Sequence, residues 1–388
     1  MSEAKSITEI PPVAFAVGGL GGNNAFGAGF LQAALDNDIV PAMITCTSGQ
    51  IWWVSKYVQI AKRKATVPPS DYLRKELEKF IESTEPYHQR DLDMCYMGLH
   101  GKEGMMRTAF PEFILDTMKN TIGAFERILQ QGPKVFFTRE LMSEWPVRVL
   151  IPRFTDEFFA NISDVFNNCD IGIAFNSYDP NKGMEIVHLN PKAKKLLRRE
   201  SGTKSAHRSR TLYKDIKPEY VKNGLWLFQY GFDECSIIDG CYFRGVILSE
   251  AAVAENVFVA RPINHKWLGK LPTNYIENED LKTEVFFNGS YQGERDKIEM
   301  INNLLPKEGA KPEEGALKKY HHVELREIEM ETQRGFFDYV FEDIDVFDRA
   351  RELTDAKFNA YKAEMAKKAD DLARSRGQEK QEKGAALA

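Results

Sequence analysis

A glycine-rich segment near the N-terminus separates two short apolar runs, and this arrangement restricts the fold more than any other part of the chain. The runs are residues 13–17 and 42–46, and residues 18–29 between them contain six glycines. Strand, helix and strand in this order are typical of a βαβ unit, whose two strands are parallel. The sequence therefore predicts an α/β fold with a mostly parallel central sheet flanked by helices.

Ser48 stands where the second apolar run ends, between Thr47 and Gly49. A serine at the apex of a sharp strand-to-helix turn is lifted above the sheet and can attack a carbonyl carbon. Backbone N–H groups of a nearby glycine-rich loop can stabilise the oxyanion that forms. We therefore predict Ser48 as a nucleophile. The predicted oxyanion donors are the N–H groups of Gly19, Gly21, Gly22 and Gly49.

A third part of the predicted site lies far along the chain. Residues 235–238 read as a short buried strand, and Asp239 follows them directly before Gly240. A carboxylate at a strand end can accept the proton of a serine hydroxyl. Asp239 is therefore the predicted base.

The same residues also have structural explanations. A serine before glycine is often the N-cap of a helix, and an aspartate before glycine is often part of a turn. Glycines after a strand also bind dinucleotides, but the chain has no G-x-G-x-x-G motif here, and its second run ends in Cys46-Thr47-Ser48 instead of an acidic residue. A P-loop would need the missing Gly-Lys-Ser/Thr.

These segments resemble the motifs of the patatin-like phospholipases, a family marked by a G-G-G-x-R/K-G loop, a G-x-S-x-G elbow and a D-G-G/A motif. The corresponding segments here are Gly19-Leu20-Gly21-Gly22-Asn23-Asn24, Cys46-Thr47-Ser48-Gly49-Gln50 and Asp239-Gly240-Cys241. Their order agrees with the family, and the resemblance covers residues 13–60 and, more loosely, 165–262. Leu20, Asn23, Asn24 and Gln50 depart from its pattern.

The resemblance implies a three-layer α/β fold and an acyl hydrolase that acts on phospholipid or another lipid ester. Ser48 and Asp239 would form a catalytic dyad that works through a covalent acyl-enzyme, with no cofactor and no metal. The departures from the pattern leave two alternatives open. One is a patatin-fold scaffold with weakened catalysis that binds lipid or a protein, and the other is a hydrolase of a soluble acyl ester or thioester.

Metal and disulfide chemistry have no support in the sequence. None of the seven histidines shows the H-E-x-x-H spacing of a helical metal pair, and the five cysteines are scattered without C-x-x-C spacing. Sequence alone leaves open that a histidine completes a Ser-His-Asp triad, because triads are defined by geometry.

Charge and hydropathy restrict the partners. A net charge of -5 and a pI near 5.9 argue against nucleic-acid binding. The N-terminus lacks a basic region followed by an apolar core, and no apolar run approaches the ~20 residues of a membrane-spanning helix. We expect a cytoplasmic protein that makes peripheral contact with membranes if its substrate is a lipid.

The chain is predicted to form one hydrolase domain over residues 10–345. Within it, residues 62–150 are a predicted helical insertion, with helical periodicity at 72–81 and 110–128 and many methionines and aromatic residues. Such a surface suits a lid or an acyl-chain pocket, and equally the core of a helical subdomain. Residues 147–151 are predicted to return to the sheet as a strand.

Two charged regions follow the insertion. Residues 192–214 carry a basic run that includes Arg198, Arg199, Arg208 and Arg210, which predicts either binding of anionic lipid headgroups or a solvated loop. Residues 346–388 are predicted to form a charged helix and a disordered tail. Apolar positions from Phe347 to Leu372 approach heptad spacing, so this helix either packs on the body or pairs with a second subunit.

Overall fold

The computed structural model describes residues 12–19, 24–61, 71–79, 81, 106–108, 110–131, 148, 150–152, 154–204, 209–306, 320–331 and 344–385. Gly21, Gly22 and Arg208 lie outside these ranges, as does most of the predicted insertion.

An eight-stranded sheet forms the centre of the molecule. Seven strands follow the order β10-β9-β1-β2-β5-β6-β7, and β8 pairs with β5. The strands are β1 Val13–Val17, β2 Met43–Cys46, β5 Gly172–Asp179, β6 Met184–Leu189, β7 Thr211–Asp215, β8 Ile238–Asp239, β9 Asn256–Arg261 and β10 Glu324–Glu329, while β3 Met106–Thr108 and β4 Leu150–Pro152 form a separate pair. Strands β10, β9, β1, β2 and β5 are mutually parallel, and β6 and β8 run antiparallel to β5. The predicted α/β fold with a mostly parallel sheet is confirmed.

Helices cover both faces of this sheet. They are α1 Asn24–Asp36, α2 Gln50–Ala61, α3 over 72–79, α4 Phe110–Gln131, α5 Asp156–Asn167, α6 Pro191–Leu197, α7 Pro218–Gly224, α8 Leu248–Ala251, α9 Tyr275–Leu304 and α10 Ile344–Ala385. Residues of α1, α2, α5 and α10 share one buried cluster with one face of the sheet. Residues of α6, α8 and α9 share a second cluster with the other face. The molecule is therefore built in three layers.

The alternation of side chains along β1 explains why the buried residues form two clusters, one on each face of the sheet. Phe15 points into the first cluster, whereas Ala14 and Ala16 point into the second, because neighbouring side chains of a strand face opposite sides. Phe15 meets Phe30 of α1 at 4.9 Å between ring centroids and in an edge-on arrangement. Every residue of β1 is buried, as expected for the middle of a parallel sheet.

The C-terminal helix α10 belongs to this core. Phe347, Ala350 and Phe358 are fully buried, and an added Cβ on Gly29 of α1 would lie 2.2 Å from the carbonyl oxygen of Phe347. The glycine therefore permits the close contact of α1 with α10. Of the two roles predicted for the apolar positions, packing on the body is the one that Phe347 to Tyr361 fulfil. The boundary at residue 345 stays a prediction, and residues on both sides of it share one buried cluster.

Helix α10 continues to Ala385, which includes a segment that the sequence predicted to be disordered. The segment is rich in Gln, Glu, Lys and Ala, all strong helix formers. Low hydrophobicity alone does not distinguish a solvated helix from a disordered tail, and this explains the difference.

The described part of the insertion contains α3 and α4, in agreement with the helical periodicity of the sequence. Strand β4 covers part of the segment that was predicted to return to the sheet. This prediction is wrong in its partner, because β4 pairs antiparallel with β3 and not with the central sheet. None of the helices in the described ranges is both long and apolar enough to cross a membrane.

Candidate active site

Ser48 occupies a sharp turn between β2 and α2. Its φ of 56° lies in the left-handed region, which a residue with a Cβ seldom adopts. Ile51 N–H donates to the Ser48 carbonyl at 2.9 Å, so the helix begins directly after the serine. This is the backbone geometry of a nucleophile elbow, and strain of this kind is concentrated at functional sites.

Asp239 is brought close to Ser48 by β8, which runs antiparallel to β5. Strand β2 ends with Cys46 beside Phe175 of β5, and further along β5 the residue Ser177 pairs with Asp239 of the antiparallel β8. β8 therefore takes the place beside β5 that β2 leaves free. The predicted strand over 235–238 is wrong in length, because β8 contains only Ile238 and Asp239. On this side β5 offers an unpaired edge only beyond the end of β2.

The Asp239 carboxyl is completely buried, and its two oxygens differ. Oδ1 accepts a hydrogen bond from Cys241 N–H at 2.9 Å, whereas Oδ2 has no partner of full hydrogen-bond geometry among the described residues. Burial raises the pKa of Asp239 to about 6, and interaction with the Ser48 hydroxyl limits this rise. The two side chains are thus in contact, and the carboxyl has a pKa suited to proton exchange near neutrality.

Gly19 lies against Ser48 but is not a free oxyanion donor. An added Cβ on Gly19 would lie 2.7 Å from Ser48 Cβ, so the predicted proximity is correct. Its N–H, however, donates to Thr47 Oγ1 at 2.8 Å, and Thr47 Oγ1 in turn donates to the Gly245 carbonyl at 2.8 Å. This hydrogen bond argues against Gly19 as an oxyanion donor, because a neighbouring hydroxyl already accepts its N–H, and the donor role stays a prediction.

Gly49, the other predicted donor within the described residues, directly precedes α2. Gln50 and Ile51 donate their N–H groups to the carbonyls of Thr47 and Ser48, and within the described residues Gly49 N–H has no such acceptor. An added Cβ on Gly49 would lie 2.2 Å from Asn24 Nδ2, at the start of α1. The N-termini of α1 and α2 therefore meet beside Ser48, where both helix dipoles favour negative charge. Gly21 and Gly22 lie outside the described residues, and their role stays a prediction.

The structure explains the departure at Gln50. Its side chain is fully buried beside Gly27 of α1, where an added Cβ would lie 2.3 Å from Gln50 Oε1. Gln50 Nε2 donates to the Asn24 carbonyl at 3.1 Å. A large residue at this position of the elbow is thus accommodated because α1 has a glycine opposite it.

Cys241 adds a thiol to the site. It is buried, it packs with Ile263 and Phe287, and its side chain interacts with both Ser48 and Asp239. Burial and the nearby Asp239 raise the pKa of this thiol far above its ordinary value, so it is neutral. Cys46, two residues before Ser48, is also fully buried with a pKa raised by burial.

Asn176 and Arg244 support the Asp239 segment, and neither residue belongs to a motif that the sequence analysis recognised. Asn176 Nδ2 donates to the carbonyls of Gly240 and Arg244, each at 3.2 Å, and to Glu185 Oε1 at 2.9 Å. An added Cβ on Gly240 would lie 2.2 Å from Asn176 Cγ. The glycine after Asp239 is therefore required for close packing, which the Asp-Gly pair alone does not reveal.

The Arg244 guanidinium is completely buried among three carboxylates. Its Nε donates to Glu185 Oε1 at 2.7 Å, and its NH1 group donates to Glu250 Oε2 at 2.7 Å and Glu294 Oε2 at 3.2 Å. These acids come from β6, α8 and α9. Arg244 therefore joins three elements to the loop that follows Asp239.

Three of the four described histidines have partners away from Ser48, and the fourth, His322, is exposed. His188 Nε2 lies 2.8 Å from Ser177 Oγ, and burial lowers the pKa of His188 to about 3. His265 pairs with Glu329, and His321 Nε2 lies 3.1 Å from the Ala254 carbonyl oxygen. Among these residues the Ser48 site is a Ser-Asp pair.

The predicted basic patch is not gathered at Ser48 as one surface. Arg210 directly precedes β7 at the edge where β5 ends, which is the edge that carries Ser48. Arg198 ends α6, which begins at the opposite edge, and Arg199 lies over the Tyr213 ring at mid-strand, with 5.7 Å to the ring centroid.

The described residues also include no group of three His, Cys, Asp or Glu side chains able to hold a metal ion.

Comparison with known proteins gives no assignment for this geometry. No model of a known protein family matches the chain, and a search of curated proteins found no match. The interpretation of the site therefore depends on the residues and their arrangement.

Proposed function

We propose that this protein is a serine acyl hydrolase that cleaves lipid esters, with Ser48 as the nucleophile and Asp239 as the base. The proposal rests on one observation above all: Ser48 has the left-handed φ of an elbow and contacts a buried carboxyl of raised pKa. A serine that serves only as a helix cap adopts an extended backbone and needs neither feature.

The reaction follows from this geometry. Asp239 accepts the proton of Ser48 as Oγ forms a bond to the ester carbonyl carbon, and a tetrahedral oxyanion results. When the intermediate collapses, the ester bond breaks and the proton passes from Asp239 to the leaving alcohol. Asp239 then takes a proton from water, whose oxygen attacks the acyl-enzyme, and returns a proton to Ser48 as the fatty acid leaves.

Stabilisation of the oxyanion is assigned to the N-termini of α1 and α2. Gly49 N–H directly follows the nucleophile, the position from which one oxyanion donor usually comes. Gly21 and Gly22 would supply further donors from the loop before α1. Removal of a single such donor typically lowers kcat by ~100-fold or more.

A lipid substrate is supported by an apolar face on α4 and by the resemblance of the motifs to patatin-like phospholipases. Leu115, Met118, Ile122 and Leu129 recur at helical spacing, and each is more than half exposed. A helix with such a face suits peripheral contact with a lipid surface. Phospholipid or another lipid ester is therefore the proposed substrate class.

A second candidate function is a lipid-binding or protein-binding scaffold of weakened activity. It is favoured by Gly19, whose N–H is bonded to Thr47 Oγ1 and does not face a substrate. A scaffold would keep the fold of the site without an activated serine.

Labelling with a fluorophosphonate probe distinguishes the two functions, because the probe reacts with activated serines whatever the lipid specificity. We expect the wild-type protein to be labelled, Ser48→Ala to lose labelling, and Ser177→Ala to retain it. Ser177 is the matched control, since it is also buried and has a histidine partner. Absence of labelling in folded wild-type protein would favour the scaffold.

A further inference from the structure

A cavity of ≈ 410 Å³ lies beside the turn that follows Asp239 and is separate from the Ser48 site. Phe287 and Tyr242 line the cavity and pack against Cys241, whose side chain interacts with Ser48. A layer of side chains thus lies between the cavity and the reacting groups. The volume suits a small molecule, and such a ligand would not be the ester that is cleaved at Ser48.

Aromatic rings from two parts of the chain line this cavity. Tyr242 ends the 3₁₀ turn Gly240–Tyr242, and Phe228 of the preceding 3₁₀ turn packs on its ring at 4.3 Å between centroids. Phe286 and Phe287 come from α9, and their rings meet edge-on at 5.8 Å between centroids. Aromatic rings carry partial negative charge on their faces and therefore attract cations.

The charged side chains of the cavity also favour a positive ligand. Among the described residues that line it, Glu279 and Asp280 are carboxylates and Lys282 is an ammonium group, which leaves a net formal charge of -1. Lys282 Nζ lies 2.5 Å from Glu279 Oε1, but the Lys282 side chain is 62% exposed and can turn to solvent when another cation enters. Asp280 is buried, and a buried carboxylate attracts a cation more strongly than one in water.

Two hydroxyl groups of the lining residues add to this preference. Tyr242 OH donates to Gln229 Oε1 at 3.3 Å, and Thr283 Oγ1 donates to the Glu279 carbonyl at 2.9 Å. Each hydroxyl thus uses its proton within the protein and keeps its oxygen lone pairs for a ligand. Lone pairs, ring faces and carboxylates all interact favourably with a cation.

We propose that this cavity binds an organic ammonium ion, with the rings of Tyr242, Phe286 and Phe287 around its alkyl groups and the carboxylates of Glu279 and Asp280 balancing its charge. A quaternary ammonium suits the site best, because it is recognised by ring faces and its methyl groups need no hydrogen-bond acceptor. Such an ion is either free in solution or part of a lipid headgroup, and the chemistry of recognition is the same for both.

The test compares choline with neohexyl alcohol, the carbon analogue of choline that has the same shape and no charge. Isothermal titration calorimetry of the full chain measures the binding of each. We expect choline to bind and the neutral alcohol to bind roughly tenfold more weakly, because the site recognises charge. Equal binding of the two compounds, or no binding of choline, would overturn the proposal. The measurement requires no activity of Ser48, so its outcome is independent of the proposed hydrolase.

Two pairs of partly exposed positions on α9 locate the binding. Phe286→Ala removes a ring from the cavity, whereas Val285→Ala changes a neighbour that does not line it. Glu279→Gln removes a lining carboxylate, whereas Glu299→Gln removes one near the far end of the same helix. We expect Phe286→Ala and Glu279→Gln each to weaken choline binding roughly fivefold and the two controls to leave it unchanged. Choline binding that neither cavity variant weakens would place the site elsewhere and reject the proposal.

Vesicles of phosphatidylcholine distinguish the two sources of the ion. If the cavity takes a lipid headgroup, the wild-type protein should sediment with these vesicles more than Glu279→Gln does, and free choline should compete. Equal sedimentation of the two proteins, together with choline binding in solution, identifies the ligand as a soluble amine.

Discussion

At Asp239 the requirements of stability and of the proposed chemistry oppose each other. Burial raises its pKa from 3.8 to about 6, so the charged form is destabilised in the folded protein. The unfolded chain loses this proton near pH 4, whereas the folded protein holds it to about pH 6. The contribution to stability is therefore present at low pH and is lost as the pH rises through this window.

We expect Asp239→Asn to abolish ester hydrolysis and to stabilise the fold at pH 8. A difference of about two pKa units corresponds to roughly 3 kcal/mol, and the amide avoids this cost while it keeps an oxygen for Cys241 N–H. Urea unfolding of both proteins at pH 4 and pH 8 measures the effect. Equal stability of the two proteins at both pH values would show that burial of the charged Asp239 carboxylate does not destabilise the fold.

The pH dependence of catalysis should show the same raised pKa of Asp239. Asp239 acts as a base only when ionised, so kcat/KM of the wild-type protein should rise through an apparent pKa of about 6 and level off above it. Initial rates with a neutral p-nitrophenyl ester between pH 4.5 and 8 give this profile. A rate that is flat over this range would contradict the assignment of the base.

Gly27 and Gln50 should be energetically coupled. We expect Gly27→Ala to destabilise the protein by about 1–3 kcal/mol, because the new methyl group displaces the Gln50 amide from its bond to the Asn24 carbonyl. In a Gln50→Ala background the same change should be neutral or stabilising, since alanine is the better helix former. A double-mutant cycle by urea unfolding measures the coupling, and additive effects would refute it.

The sequence predicted the candidate site residues that a local backbone pattern marks. It missed those whose role depends on contacts between distant parts of the chain. Ser48 lies in the turn two residues after β2, and Asp239 is the last residue of β8. The state of the Gly19 N–H depends on the rotamer of Thr47, and Asn176 acts across the sheet on the loop after Asp239. Neither contact has a local signature in the chain.

At the scale of elements, the Arg244 network connects the Asp239 loop with β6, α8 and α9. We expect Arg244→Met to destabilise the protein by about 3–5 kcal/mol, because three buried carboxylates lose their cation. Arg349→Met is the control, since Arg349 and its partner Glu331 are about half exposed and such pairs contribute little. Thermal unfolding compares the variants, and an effect of Arg244→Met no larger than the control would contradict the role of the network.

The strands that were predicted incorrectly share a cause. Residues 235–237 and 147–151 have apolar side chains that suit strands, but a strand exists only where a partner edge is available. β5 offers β8 two residues of free edge, and β4 finds its partner in β3. The apolar sequence pattern therefore identified segments that are able to form strands. The topology of the sheet determined which of these segments found a partner strand.

At the scale of the whole molecule, α10 closes one face of the sheet from the far end of the chain. Phe358 lies 4.7 Å from the Phe258 ring centroid and 5.9 Å from that of Phe30. The helix thereby joins the first strand-helix unit to the late strand β9. Beyond residue 365 the described side chains of α10 are exposed, so the two halves of this helix have different roles. Pairing with a second subunit stays a prediction, and the distal half is the part available for it.

This division predicts unequal effects of changes along α10. Phe358→Ala should cost about 3–5 kcal/mol, because it removes a ring that is fully buried among Phe15, Phe30 and Phe258. A chain that ends after Lys368 should keep the wild-type stability within about 0.5 kcal/mol, since the described side chains beyond this residue are exposed. Urea unfolding at two protein concentrations measures both. If the truncated chain is less stable than the wild-type protein at the higher concentration, and this difference disappears at the lower concentration, the distal half stabilises the molecule by association instead.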